Sequence, residues 1–173
     1  MNASFRSGHL FLFLLVGMLL FAAPLMAKDF LYVPVNNALQ IIDCETDTIV
    51  KTVPVYSDYI MQSTYSPDGK RYYLNAQHSI YVFDTTTHEM VDTFRFSSEL
   101  SKVTITGLAV STDNKTLFLS TNIVKKKQNI PKLNVLPPQL IVYDIGKKKM
   151  VKNYPIPHMV FQILTMQNDK NRL

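Results

Sequence analysis

Few side chains in this sequence have the type and spacing that chemistry requires, and those few are scattered. The single cysteine, Cys44, excludes an intrachain disulfide, a CxxC redox pair, a Cys-rich zinc site and the C-x-x-C-H attachment of a c-type haem. It has no neighbouring His or fixed positive charge to activate its thiol, and a buried position near a strand end is expected for it. No Trp is present, so no tryptophan-derived cofactor can form within the chain. The run Asp43-Cys44-Glu45-Thr46-Asp47 offers oxygen ligands to a calcium ion but lacks the rest of a loop pattern. A turn bonded by its own Asp accounts for the same residues without a ligand. His78 and His158 lie 80 residues apart with no third ligand in view, a weak metal pair. There is no G-x-S-x-G elbow, no phosphate loop and no H-E-x-x-H.

The remaining chemical signal is basic. The chain carries a net charge of +5, and Lys125, Lys126, Lys127 and Lys132 fall in one connection, residues 122–139, that contains three prolines and no acid. Setting Arg6 aside with the N-terminal segment, these four lysines equal the whole remaining excess of Lys and Arg over Asp and Glu. This connection is expected to be an insertion loop, either solvated and mobile or used for docking a partner. No aromatic side chains interleave with the lysines, which argues against nucleic acid.

The elements that must position these residues begin after residue 27. Arg6 is the only fixed charge before Lys28, residues 10–23 are almost wholly apolar, and Pro24-Leu25-Met26-Ala27 ends on a small residue. This reads as a secretory signal covering 1–27, with export to the periplasm expected. The apolar run is too short for the roughly 20 residues that span a bilayer, so no stable membrane anchor is expected.

Beyond it the chain repeats. Asp43, Asp84 and Asp144 are each followed seven residues later by Val, preceded by Ile or Met. Ser66-Pro67-Asp68-Gly69-Lys70 and Ser111-Thr112-Asp113-Asn114-Lys115 lie 45 residues apart, and Gln167-Asn168-Asp169-Lys170 is a degraded third copy. Between these turns run short aromatic and β-branched segments at 30–35, 38–42, 48–55, 71–74, 79–83, 116–119 and 140–143. A period near 45 residues holding four strands is the arithmetic of a propeller blade.

The expected fold over 28–173 is therefore all-β, a partial β-propeller of four-stranded antiparallel blades. It amounts to about three blades plus one strand around residues 161–166. With the four strands of a blade labelled A to D from the centre outwards, the D–A and B–C connections should share one face and the Asp-rich turns the other. On the first face Asp58, Tyr59, His78 and His158 are candidates for a partner or ligand site, together with the four lysines of 122–139. A plain surface or core role is open for each.

The succession Asn36-Asn37-Ala38-Leu39-Gln40-Ile41-Ile42-Asp43, Thr46-Asp47-Thr48, Lys51-Thr52 and Tyr73-Leu74-Asn75 resembles the start of the β subunit of quinohemoprotein amine dehydrogenase. Thr121-Asn122, a long polar connection, Pro137-Pro138, Leu140-Ile141-Val142-Tyr143 and Tyr154-Pro155-Ile156-Pro157 follow that pattern in order. The similarity covers about the first half of a seven-bladed YVTN-type propeller. It implies a chain without cofactor or catalytic residues of its own, supporting a γ subunit that carries cysteine tryptophylquinone beside a dihaem α subunit with haem c, in an exported complex that oxidises primary amines. An independent YVTN-like binding propeller and a truncated, non-functional fragment are the alternatives.

Overall fold

The computed structural model describes residues 28–56, 59–127 and 132–163, which form three antiparallel sheets in chain order. Sheet one is β1 (Phe30–Val35), β2 (Ala38–Asp43) and β3 (Thr48–Pro54). Sheet two is β4 (Gln62–Tyr65), β5 (Arg71–Asn75), β6 (Ser79–Asp84) and β7 (Met90–Arg95). Sheet three contains β8 (Ser101–Val110), β9 (Thr116–Lys126), β10 (Leu133–Val135), β11 (Gln139–Asp144) and β12 (Lys149–Pro155). Within each sheet sequential strands pair as neighbours, β10 excepted: β9 takes β8 along one edge, while its other edge takes β11 and then β10. Among the described residues no helix is long and apolar enough to cross a membrane.

The repeated turns have repeated geometry. Asp43 accepts the Glu45 N–H at 2.9 Å, Asp84 the Thr86 and Thr87 N–H groups at 2.8 and 3.0 Å, and Asp144 the Lys147 N–H at 2.8 Å. Strand register shifts immediately before each of the three Asp residues. Four residues after each, Asp47, His88 and Lys148 adopt positive φ of 52°, 58° and 49°. In the other marker Ser66 donates to Asp68 at 2.7 Å and Ser111 to Asp113 at 2.6 Å, and each carboxylate also accepts the N–H two residues on. Gly69 and Asn114 occupy the same left-handed position, φ 70° and 59°, for which Gly and Asn have the lowest steric cost. The Asp side chains thus serve local turns, as the spacing predicts; residues 167–170 lie outside the described residues.

Alternation along the strands fixes the packing. On β6, Tyr81 and Phe83 point into a core shared with sheet one, while Ile80 and Val82 point into a second core shared with sheet three. Sheet two is thereby covered on both faces, which is why β5 and β6 are buried at nearly every position while burial alternates along β2. Aromatic rings line the first seam, with Tyr32 4.7 Å from Tyr72 and Tyr65 5.0 Å from Tyr72. Polar ties repeat across both seams. Lys51 of β3 pairs with Glu89 and reaches Thr87 O at 3.3 Å, and Asp92 of β7 pairs with Lys148 at 2.8 Å. In each case an outer strand is joined to the Asp-rich turn region of the next sheet, with the charges exchanged.

Three expectations need correction. Cys44 is exposed: Asp43 takes the buried end of β2, and Cys44 falls on the turn beyond it. The connection 122–139 is not simply a loop, because β9 runs on to Lys126 and β10 pairs back with residues 124–126. Residues 161–163 form no strand, and the rest of the expected strand at 161–166 lies outside the described residues, as do Asp58 and residues 1–27, where a signal is expected.

Backbone donors from Thr87 and Thr86, and then Arg71, pull the Asp84 carboxyl from its ordinary 3.8 to about 2. A carboxylate with a depressed native pKa stabilises the fold above its unfolded value, and that contribution is lost as pH falls through the native one. Between pH 4 and 2, Asp84→Asn should flatten the acid limb of unfolding followed by circular dichroism. An unchanged limb would show that this turn does not contribute.

Candidate functional site

The two ends of the sheets differ in what their polar groups are doing. At the Asp-rich end the side chains are committed to turns. At the opposite end lie the 76–78 turn, residues 55–56 and 59–61, the connection 96–100, and the far ends of β9 and β10, joined by backbone bonds such as Ile105 N–H to Gln77 O (2.7 Å) and Lys126 N–H to Leu100 O (2.9 Å). Of the first-face candidates, those among the described residues are His78, Tyr59, His158 and the four lysines.

His78 is partly buried in the β5–β6 turn, where its ring Nδ1–H donates to Val103 O at 2.7 Å; a carbonyl only accepts, so the proton sits on Nδ1. Its role includes holding sheet two to sheet three. Tyr59 is 62% exposed in the connection before β4. His158 is exposed beyond β12, in a segment held by the Thr106 hydroxyl, which donates to Val160 O at 2.8 Å.

The lysines are organised by the hairpin. Lys125 and Lys126 are adjacent on a strand and so project to opposite faces, and each reaches a different groove. Lys126 lines one of about 610 Å³ with His78, Lys102 and Leu133. Lys125 lines another of about 540 Å³ between sheets two and three. Lys127 and Lys132 line a third, of about 300 Å³, with Leu133 and Asn134. The structure therefore unites His78 with Lys126 and Lys127 with Lys132, while Tyr59 and His158 line none of these grooves. Arg95, Lys148 and Lys149, which share the second groove with Lys125, are not apparent as site residues from the sequence. The run Lys147-Lys148-Lys149 is a visible signal, but only the turn geometry aims it.

No protein family and no curated protein matches the chain. Among solved structures it is similar to a functionally unknown protein from Desulfotomaculum acetoxidans DSM 771, at TM-score 0.55 and 13% identity, covering 76% of this chain and 38% of that one. It is also similar to the beta-propeller domain of Cps50 (Swd1) from Myceliophteria thermophila, at TM-score 0.47 and 13% identity, covering 78% and 55%. The chain spans under two-fifths of the first and little over half of the second. At 13% identity the first likeness concerns the fold alone, an all-β arrangement of antiparallel sheets. Neither likeness bears on amine dehydrogenase or quinone chemistry.

Proposed function

We propose that the chain is a propeller-type binding module, acting through a protein partner docked at the end that carries the β9–β10 hairpin. The observation that supports this is the exposed basic hairpin: Lys125, Lys126, Lys127 and Lys132 are all exposed, and none takes part in an ion pair among the described residues. The partner face is then acidic, and association should weaken with salt. The full chain carrying Lys→Glu at all four positions should lose a partner that the native chain retains on a column at low salt. Retention unaffected by the four changes would sink the reading.

A narrower second reading is favoured by one feature, the 122–139 connection that carries the most specific part of the resemblance. In it the chain supports the quinone-bearing γ subunit of an exported quinohemoprotein amine dehydrogenase, beside the dihaem α subunit, and residues 1–27 direct it to the periplasm. Co-expression with a dihaem chain and a quinone-bearing chain should give a complex that co-purifies through the basic hairpin. Periplasmic material should begin at Lys28. Failure to associate removes the narrower reading and leaves the broader one to the salt experiment.

A further inference from the structure

The groove between sheets two and three carries more than the docking of a protein requires. Where the end of β7 meets sheet three, a groove of about 540 Å³ remains between them, the size of a small-molecule site. Its floor is apolar: Phe96, Ile123, Leu136, Ile141 and Tyr143, with the Phe96 and Tyr143 rings 5.1 Å apart. The charged lining residues are Arg95, Lys125, Lys148 and Lys149, and among the described residues no carboxylate lines the groove. Lys148 is neutralised by Asp92, at 2.8 Å, and holds the wall in place. Arg95, Lys125 and Lys149 are exposed and enter no ion pair among the described residues. The Gln139 and Asn153 amides, bonded across β11 and β12 at 3.1 Å, also line it.

Three unpaired cations around an aromatic floor repel one another and favour an occupant of opposite charge. We propose that this groove binds a small organic anion with a flat aromatic body, an aryl carboxylate or sulfonate. Its ring lies against Phe96 and Tyr143, and its acid group is met by Arg95, Lys125 and Lys149. Arg95 is suited to the planar acid because its fork donates two parallel hydrogen bonds. The inference stands whether or not the hairpin docks a protein.

The test compares two fluorescent probes with nearly the same aromatic body, 8-anilino-1-naphthalenesulfonate and its uncharged analogue N-phenyl-1-naphthylamine, titrated against the full chain. The anion should bind at one site and about tenfold or more tighter than the neutral probe, the combined effect of three partly exposed charges. The triple variant Arg95→Gln, Lys125→Gln, Lys149→Gln should abolish that preference while keeping the native circular dichroism, since all three side chains are exposed. Removing the remote cations Lys70 and Lys115 should leave it unchanged. Equal binding of the two probes, or an anion preference that survives the triple variant, would overturn the proposal.

Discussion

Replacing Phe83 by Ala should lower the stability of the fold by about 3–5 kcal/mol, the range for removing a buried aromatic ring. Phe83 is fully buried on β6, in the core between sheets one and two, 6.2 Å from the Tyr72 ring. The cost exceeds the transfer of the ring because the site is poorly able to collapse. β6 is bonded on both edges, to β5 and β7, and its other face is held by Ile80 and Val82 against sheet three. A loss of that size is a large part of the whole for a domain with roughly 5–15 kcal/mol. Urea unfolding should show the midpoint shift. Phe83→Leu should recover most of it, whereas Phe161→Ala, at a ring 64% exposed, should stay within about 0.5 kcal/mol of the native chain. Equal effects at 83 and 161 would mean that sheets one and two do not share a core in solution.

Phe83 also shows which parts of the structure were legible in the sequence. Tyr72 to Leu74 and Ile80 to Phe83 are continuous apolar runs bounded by turn residues, and such runs require cover on both faces. The Asp repeats were legible because each turn is built within a few residues: Asp84 accepts its N–H bonds from positions two and three further on. The hairpin was hidden because lysines and prolines have low strand propensity, while its stability comes from β8, whose Ser101 and Lys102 pair with Lys125 and Val124. The second groove was hidden for a stronger reason. Arg95, Lys125 and Lys149 come from three strands, and only the packing of sheet three on β7 makes them neighbours. Cys44 was misjudged by one residue, since β2 ends on the buried Asp43 and the chain leaves the sheet for an exposed turn at the next position.

A second large effect is expected at Gly107, where β8 shifts register against β9 between Ile105 and Gly107. The matching position 45 residues earlier is Gln62, which has room for a long side chain and uses it to accept the Leu108 N–H at 2.9 Å. At Gly107 that room is taken: a Cβ would lie 3.1 Å from Ile163 Cγ1, 3.3 Å from Ser120 Cβ and 3.3 Å from Val160 O. The Ile163 tip can swing aside, but Val160 O is fixed by the Thr106 hydroxyl, and Ser120 is buried. Gly107→Val should therefore destabilise by about 1–3 kcal/mol, the usual cost of overpacking, despite the better strand propensity of Val. Removing the movable neighbour separates overpacking from a backbone effect. In a double-mutant cycle, Ile163→Ala should return part of the loss, with a coupling of at least about 0.5 kcal/mol for side chains in contact. Strict additivity would show that residues 160–163 do not pack against β8, and that Gly107 is required by the register shift alone.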